Sequence, residues 1–395
     1  MKFEFATATR IVFGKGVKDE LAKLSASFGS RAFVASGMPS AVRDPLLESL
    51  SSQQIGWSLF EVKSEPTMAM VREGTEKARA FRCDMVIGIG GGSAMDTAKA
   101  IGALLANDGD LLDFLEVIGK GMPLENPPFP VIAVPTTAGT GAEVTCNAVM
   151  ESPEHRVKVS LRSALMFPRI ALVDPLLTVG LPKEVTASSG LDALTQVIEP
   201  FVSHKANPMT DAICREGIAR AGRSLRRAYE CGTDEAARED MSLVSLFGGM
   251  ALSNAKLGAV HGFAGPLGGM FHGSHGALCA SLLPHVTAAN IRALRKRGSG
   301  RESLSRFDEI GRLLTGNEKA ASREAVEWLE TVCAALEVPP LSAFGVKEED
   351  IPLVVEKAKG ASSMQGNSVK LEDGELAEIL AMALAGKSSV PQGRK

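Results

Sequence analysis

Three of the chain's six histidines lie in one glycine-rich stretch, HGFAGPLGGMFHGSHG, at residues 261–276. On one continuous helix, His261 and His275 would stand roughly 21 Å apart, which is too far to share a ligand. The glycines and Pro266 predict that the chain breaks between them, and two histidines on separate short segments can converge on a metal ion. A glycine-rich loop with incidental histidines is the alternative for this stretch.

A second candidate for metal binding is the segment GLDALTQVIEP. Asp192 and Gln196 stand four residues apart and would project from one face of a helix, beside apolar neighbours. A carboxylate among apolar residues needs a partner, and a divalent metal shared with His261 and His275 would supply one. A capping or interhelical hydrogen bond to Asp192 is the alternative.

Two further segments have the composition of nucleotide-binding turns. In the first, DMVIGIGGGSAMDTAKA, an apolar run meets Gly90, Gly91, Gly92 and Ser93, and a helix is expected to begin near Ala94. Glycines let a phosphate approach the backbone, and a helix N-terminus offers unpaired N–H groups and the positive end of its dipole. The spacing departs from the G-x-G-x-x-G pattern, whose last position would fall on Ser93. A tight strand-to-helix turn without a ligand is the alternative.

The second such segment, PTTAGTGAEVT at residues 135–145, follows the apolar run FPVIAV. Thr136, Thr137 and Thr140 supply hydroxyls, and the glycines give access to the backbone. In open α/β sheets, ligands bind beyond the carboxyl ends of the strands, so the two turns can flank one crevice. An ordinary surface loop is the alternative.

These candidate residues are carried by two regions with different patterns. In the first region, helix-compatible stretches alternate with the apolar runs RIVFG, RAFVAS, DMVIGIG, FPVIAVP and RIALVDP. This rhythm is typical of the buried strands of a parallel, doubly wound α/β sheet. From about Leu181 onward the pattern is helical almost throughout. We therefore predict a Rossmann-like nucleotide-binding domain over residues 1–180 and an all-helical domain over residues 181–395.

Length and composition limit the kind of partner. The chain has 395 residues, 45% of them hydrophobic, and a net charge of -3 with interspersed signs. This balance gives no electrostatic reason to expect nucleic acid or a membrane surface, so a small-molecule partner is expected. The N-terminus lacks a signal-peptide pattern and no apolar run approaches the ~20 residues of a membrane span, so we expect a cytoplasmic protein. The six cysteines lack CxxC spacing and are expected to be reduced and structural.

Several motifs together, in order and spacing, resemble the iron-containing (group III) alcohol dehydrogenase family. They are GIGGGSAMDTAK, PTTAGTGAEVT, LVDP…LP…ASSGLDALT and GGMALSNAKLGAVHG…PLGG…HG…LLPHV…N. The resemblance covers nearly the whole chain, from IVFGKG to the C-terminal helices. It implies a dinucleotide-binding α/β domain and an all-helical domain in a dehydroquinate synthase-like architecture, with a catalytic divalent metal, iron or zinc, in the cleft between them. It also implies NAD or NADP as cofactor and a homodimer or higher homo-oligomer.

The resemblance assigns the metal ligands as well. The family pattern is an Asp and a His four residues later on one helix, followed by two histidines fourteen residues apart. In this chain those positions hold Asp192, Gln196, His261 and His275. An amide oxygen is a weaker donor than imidazole, so metal affinity should fall. One carboxylate and two imidazoles nevertheless resemble the ligand set of glycerol dehydrogenases and leave a position open for substrate.

A second departure concerns a family histidine near the substrate, which corresponds here to Gly265. His272 lies in the same loop, and an imidazole titrates near neutrality, so it could transfer protons in place of the missing histidine. A histidine that merely faces solvent is the alternative for His272. The replacements at Gln196 and Gly265 enlarge and neutralise one wall of the site, which suggests a substrate with its own polar or anionic group.

For the cofactor, the resemblance implies three sets of contacts. The pyrophosphate and ribose region is contacted by Gly91, Gly92, Ser93 and Asp96. The cofactor is lined by Thr136, Thr137 and Thr140, and the nicotinamide ribose is reached by Lys158. Where many relatives carry an Asp after the second strand, this chain has Gly37. That Asp would bind the 2′-hydroxyl of NAD and repel the 2′-phosphate of NADP, so we expect NADP to be accepted. A tight turn at Gly37, with a neighbour setting the preference, is the alternative.

The activity implied is hydride transfer between a nicotinamide cofactor and a small alcohol or its aldehyde or ketone. A metal at the ligands above would act as a Lewis acid on the substrate oxygen. The departures at Gln196 and Gly265 keep open a metal-depleted, catalytically impaired nucleotide-binding homologue. A lyase of the dehydroquinate synthase type is less expected, because no cluster of basic residues for a phosphorylated substrate is visible.

Overall fold

The computed structural model describes residues 2–155, 157–271, 273–298 and 300–386. The chain divides into two compact units. We call Ala6–Val179 the α/β unit, and the part that begins at Gly180 and includes the residues before Ala6 the helical unit.

The α/β unit contains strands and helices in alternation. Its strands are β1 (Arg10–Phe13), β2 (Arg31–Ser36), β3 (Gly56–Glu61), β4 (Met85–Gly90), β5 (Val131–Pro135), β6 (Asn147–Ser152), β7 (Val157–Arg162) and β8 (Ile170–Val173). Its α-helices are α1 (Leu21–Ser25), α2 (Ser40–Ser52), α3 (Met68–Phe81), α4 (Gly92–Ala106) and α5 (Leu111–Phe114).

Six of these strands form one parallel sheet in the order β1-β8-β5-β4-β2-β3, which confirms the predicted fold class. The five apolar runs correspond to β1, β2, β4, β5 and β8. The prediction missed β3, whose sequence GWSLFE lies at the sheet edge and is largely exposed. It also missed β6 and β7, which pair as a separate antiparallel hairpin with alternating burial.

The side chains of β2 show how the sheet is covered on both faces. Because successive residues of a strand point to opposite faces, Val34 packs in one apolar cluster with Leu46 and Leu50 of α2. Phe33 packs in the other cluster with Ala78 of α3 and Ile101 of α4. A strand buried on both faces reads as a continuous apolar run, and this is why β2 and β4 could be predicted.

The strand order reverses between β2 and β4. From β2 the chain continues outward to β3, whereas from β4 it continues to β5 and β8 on the other side. The carboxyl ends of strands at such a switch point border the crevice in which open α/β sheets bind their ligands. The turns after β2, β4 and β5 therefore lie where a nucleotide is expected.

The helical unit is formed by α-helices and short 3-10 segments, with no strand among its described residues. The α-helices are α6 (Lys183–Val202), α7 (Pro208–Glu230), α8 (Glu235–Asn254), α9 (Ala259–Met270), α10 (His275–Arg297), α11 (Arg301–Thr315), α12 (Ser322–Ala335), α13 (Ile351–Gly360) and α14 (Asp373–Ala385). Helix α6 packs against α7, α8 and α10, and every residue from Gly190 to Val202 is buried. In the described ranges no single helix is long and apolar enough to cross a membrane; α8 and α9 pass by length and composition only as a pair bent by 96°.

The chain does break between His261 and His275, but not at Pro266. Helix α9 continues through Pro266 to Met270, and α10 begins at His275 itself. His261 is thus near the start of one helix and His275 is the first residue of the next. Two helix N-terminal regions, rather than two loops, present the imidazoles.

Candidate functional site

Three helices of the helical unit bring four ligand-type side chains together. Asp192 from α6, His261 from α9, and His275 and Cys279 from α10 each place one ligand atom within 4.8 Å of the other three. Asp192 Oδ1 lies 3.4 Å from His261 Nε2 and 3.7 Å from His275 Nε2. The two imidazole rings are tilted, with centroids 5.3 Å apart.

The donor atoms of this cluster fit a divalent metal. Asp192 Oδ1 and His261 Nε2 are buried and have no hydrogen-bond partner in the described structure, although burying unpaired polar atoms is costly. Ligand atoms held about 2.0–2.3 Å from one tetrahedral ion lie about 3.3–3.8 Å from one another. The measured separations are close to these values, so a single cation could satisfy both unpaired atoms.

The carboxylate of Glu199 orients His261. Glu199 Oε2 accepts a hydrogen bond of 2.7 Å from His261 Nδ1, and Glu199 Oε1 accepts another of 2.7 Å from the backbone N–H of Val260. A carboxylate on Nδ1 keeps the proton on that nitrogen and leaves the lone pair of Nε2 for a metal. Glu199 is therefore a positioning residue for the cluster.

Gln196 orients the carboxylate of Asp192. Its amide Nε2 donates a hydrogen bond of 2.9 Å to Asp192 Oδ2, which leaves Oδ1 directed at the imidazoles. Its carbonyl oxygen is buried without a hydrogen-bond partner among the described residues, and it lies 3.2 Å from the position that a Cβ at Gly248 would occupy. The group of Gln196 nearest the Asp192 carboxylate is thus its amide NH2, which is a hydrogen-bond donor.

The electrostatics of the cluster show what charge the site accommodates. Burial alone would raise the pKa of Asp192 and of Cys279, but the neighbouring imidazoles, His275 foremost, hold both pKa values below their usual range. Burial likewise opposes the charged form of His261, yet Cys279, Asp192 and Glu199 raise its pKa well above the usual value. The carboxylate and the thiol thus stabilise positive charge in the cluster. A divalent cation would supply that charge while both imidazoles stay neutral.

One side of the cluster is open. The side chain of His275 is 35% exposed, whereas those of Asp192 and His261 are 2% and 6% exposed. Gly265 lies one helical turn after His261, and a Cβ at Gly265 would meet no atom within 4 Å. A small substrate could therefore approach the ligand atoms from the side of His275.

In the α/β unit, the two glycine-rich turns lie side by side. The N–H of Thr136 donates to Gly90 O at 2.9 Å. Gly90 has φ +151°, and a Cβ there would lie 2.8 Å from Ala94 Cβ, so only glycine fits. A Cβ at Gly92 would lie 2.9 Å from Thr140 Oγ1. The absence of a side chain at Gly92 thus lets the turn after β4 pack closely against Thr140 of the turn after β5.

The first turn of α4 is suited to an anion. Helix α4 begins at Gly92 with Gly91 as its N-cap, and no side chain caps it. The N–H groups of a helix N-terminus without a cap attract phosphate through their hydrogens and the helix dipole. Gly37 lies beside this turn, because its N–H donates to Ile89 O at 3.3 Å and a Cβ at Gly90 would lie 3.4 Å from its nitrogen.

Two other residues proposed for the cofactor are held by contacts within the protein. Asp96 Oδ2 accepts from the N–H of Val149 at 3.0 Å, and Oδ1 pairs with Lys99 Nζ at 2.9 Å. Lys158 forms an ion pair with Glu65 and is largely buried. Their roles toward the ribose groups stay predictions. His272 lies outside the described residues.

Sequence reasoning missed one member of the metal cluster, Cys279, and the residue that orients His261, Glu199. Cys279 stands four residues after His275, and Glu199 stands seven residues after Asp192, so each lies on the same helical face as a ligand that was predicted. The four-residue spacing that paired Asp192 with Gln196 would have found Cys279 from His275, whereas Glu199 is found only by the two-turn spacing of seven residues from Asp192. Within the predicted all-helical domain, the sequence pattern did not single out a helix over residues 275–297, so the spacing of His275 and Cys279 was not recognised.

An α/β unit with glycine-rich turns after β4 and β5, and a helical unit with a candidate metal site, are what a metal-dependent dehydrogenase requires, and comparison with known proteins supports this class. Residues 8–175 match the iron-containing alcohol dehydrogenase family, and residues 186–384 match the C-terminal region of the same family. The chain belongs to the iron-containing alcohol dehydrogenase family. Members bind NAD(H) and a metal, typically iron.

Individual relatives support this assignment. A 1,3-propanediol dehydrogenase from Klebsiella pneumoniae is 36% identical over 343 residues, which are 86% of each chain. The crystal structure of a 1,3-propanediol oxidoreductase has a TM-score of 0.89 at 32% identity and covers 97% of this chain and 100% of its own. Sulfoacetaldehyde reductase from Bifidobacterium kashiwanohense, solved in complex with NAD+, has a TM-score of 0.85 at 27% identity, with 98% and 99% covered.

These findings identify an oxidoreductase of the alcohol dehydrogenase class. They favour it over the impaired nucleotide-binding homologue and over the dehydroquinate synthase-type lyase.

Proposed function

We propose that the protein interconverts a small alcohol that carries a second polar group and the corresponding aldehyde or ketone, with NAD(H) or NADP(H) and a divalent metal held by Asp192, His261 and His275. The observation that carries the proposal is the convergence of Asp192 Oδ1 and His261 Nε2, both buried and unpaired, on the ligand atoms of α10. When bound, the metal supplies Lewis acidity, which lowers the pKa of a hydroxyl and polarises a carbonyl.

The residues around the ligands hold them in position for this chemistry. Glu199 fixes the tautomer of His261, and Gln196 holds the second oxygen of Asp192 so that the first faces the imidazoles. Because Asp192 and His261 are almost fully buried, water has little access to them. Substrate would enter beside the partly exposed His275.

The nucleotide is proposed to bind at the carboxyl ends of β2, β4 and β5. The uncapped N-terminus of α4 would receive the pyrophosphate, with Gly91 and Gly92 permitting its close approach and the hydroxyls of Thr137 and Thr140 beside it. The nucleotide turns belong to the α/β unit, and the metal ligands belong to the helical unit.

We further propose that NADP is accepted as well as NAD. A Cβ at Gly37 would lie 2.9 Å from the backbone oxygen of Val62, so this position cannot carry an acidic side chain without a shift of the backbone. Without that carboxylate the 2′-phosphate of NADP meets no repulsion there. Gly37→Asp should reduce kcat/KM for NADPH more than for NADH, whereas the matched Gly37→Ala should reduce both equally. Equal losses in both variants would contradict the proposal.

The second polar group of the substrate is suggested by the space at Gly265, which no neighbouring atom fills. Two relatives are named for substrates of this kind, a diol and a sulfonated aldehyde. A site with an unfilled position next to its metal ligands can admit such a group alongside the reacting carbonyl.

The test begins with elemental analysis of protein purified without chelator and with little exposure to air. Close to one iron or zinc per chain is expected, together with reduction of short hydroxylated or sulfonated aldehydes by NADH or NADPH. Asp192→Asn should lose the metal and the activity while still binding nucleotide. Protein that stays metal-free after anaerobic reconstitution, or that turns over no aldehyde of the panel although nucleotide binds, would refute the proposal.

A further inference from the structure

We propose that Cys279 is a thiolate ligand of the metal and that Gln196 is a positioning residue rather than a ligand. The inference rests on the proposed metal-dependent function and names the fourth protein ligand of that site. The structural feature behind it is the position of the Cys279 sulfur among Asp192, His261 and His275.

Cys279 is placed for ligation by the helix that carries His275. The two residues are one turn apart on α10, so their side chains project from the same face. Cys279 is fully buried, and its Sγ lies 3.8 Å from His275 Nε2. A sulfur and a nitrogen bound to one tetrahedral zinc ion would lie about 3.6 Å apart, so the observed separation needs little adjustment.

Gln196 is oriented against ligation. The amide group nearest Asp192 is the NH2, which donates to Asp192 Oδ2 and has no lone pair to offer. Turning the amide over would set its oxygen against the carboxylate oxygen at the same 2.9 Å and lose that hydrogen bond. The carbonyl oxygen instead lies near Gly248 of α8. Gln196 therefore fixes the carboxylate, and the fourth ligand must come from elsewhere.

Cys333 shows what an ordinary buried thiol does in this unit. It is also buried and lies on α12, and its Sγ–H donates to Ala280 O at 3.7 Å. Cys279, one residue before that carbonyl in the chain, faces two imidazoles and a carboxylate instead. This difference in surroundings makes Cys333 a matched control for Cys279.

Ligation by a thiol releases one proton to solvent and forms one metal–sulfur bond, with no change in oxidation state. The total of four protein ligands then equals that of the family pattern, with a thiolate in place of one imidazole, and a substrate oxygen would be a fifth ligand. Because thiolate is a softer ligand than imidazole or an amide oxygen, it favours zinc at this site.

The experiment is X-ray absorption at the zinc edge on full-length protein reconstituted with one zinc per chain under reducing conditions. The expected wild-type spectrum contains one sulfur at about 2.3 Å and the remaining ligands at about 2.0–2.2 Å. Cys279→Ser should lose the sulfur contribution, whereas Cys333→Ser and Gln196→Leu should keep it. Cobalt substitution gives a second readout, since thiolate-to-cobalt charge-transfer absorption should appear in the wild type and the two controls and vanish in Cys279→Ser.

The wild-type spectrum alone shows whether a sulfur binds the zinc, even if Cys279→Ser fails to fold. Zinc bound with nitrogen and oxygen ligands only would overturn the assignment of Cys279 and leave the proposed function intact. Failure of the wild type to bind zinc, cobalt or iron after anaerobic reconstitution would overturn both. Loss of the sulfur contribution in Cys333→Ser but not in Cys279→Ser would also overturn the inference.

Discussion

Glu143 provides a sharp test of the electrostatics in the nucleotide-binding turn. This residue follows β5 in the segment PTTAGTGAEVT and is buried, and neither carboxylate oxygen has a hydrogen-bond partner in the described structure. Burial raises its pKa to about 7, although the positive charge of Lys99 acts in the opposite direction. The folded protein therefore holds a proton on Glu143 at pH values where the unfolded chain has released it.

The direction in which stability changes with pH depends on how many protons the folded and unfolded states bind. Between about pH 4.5 and pH 7 the folded state binds more protons than the unfolded state, so the free energy of unfolding falls as pH rises. A pKa raised from 4.5 to about 7 corresponds to about 3 kcal/mol above pH 7, at about 1.4 kcal/mol per unit. Glu143→Gln keeps the shape of the side chain and abolishes its ionisation. The stability of this variant relative to the wild type should therefore increase by roughly 2–3 kcal/mol between about pH 5 and about pH 8.5.

The assay is urea unfolding followed by tryptophan fluorescence. The two tryptophans lie in different units, Trp57 on β3 and Trp328 on α12. In a Trp328→Phe background, fluorescence reports the α/β unit that contains Glu143. Equal pH dependence of the Glu143→Gln variant and its parent would refute the argument, because it would mean that the native carboxylate ionises without penalty.

Two further predictions concern the metal and nucleotide sites. Glu199→Gln removes the negative charge that fixes the tautomer of His261, so metal affinity measured by chelator competition should fall roughly 10- to 100-fold with the fold retained; unchanged affinity would show that Glu199 serves packing alone. Gly92→Ala places a methyl group 2.9 Å from Thr140 Oγ1, so nucleotide binding measured by fluorescence titration should weaken about tenfold, or about 1.4 kcal/mol. Gly374→Ala, where the added Cβ meets no atom within 4 Å, should leave nucleotide binding unchanged, and an equal loss there would contradict this reasoning.

The parts of the fold that could be predicted are those in which burial sets the sequence pattern. Strands β4 and β5 are covered on both faces and contain only buried residues, so their sequences are uninterrupted apolar runs. Strand β3 has an exposed edge, and β6 alternates between buried and partly exposed residues. Such short strands contain charged residues and resemble loops at the level of sequence.

The metal site was predictable to the extent that single helices set its spacing. Asp192 and Gln196 follow a clear helical pattern on α6. Helix α10 contains Pro284 and begins directly after a glycine-rich stretch, so its helical face was not visible and Cys279 was expected to be structural. The predicted break between His261 and His275 is confirmed, and it falls after Met270 because α9 continues through Pro266. Tertiary packing, rather than local sequence, determines where α9 ends and which side chains Cys279 faces.

A thiolate from Cys279 would change the charge of the centre as well as its ligand count. A divalent ion held by Asp192 and neutral donors keeps one positive charge, whereas Asp192 and Cys279 together neutralise the ion. Because electrostatic attraction scales with net charge, a neutral centre offers little to an anionic group on the substrate, and Glu199 behind His261 adds negative charge nearby. Among substrates with a second polar group, the centre should therefore favour an uncharged one such as a hydroxyl, placed in the space beside Gly265.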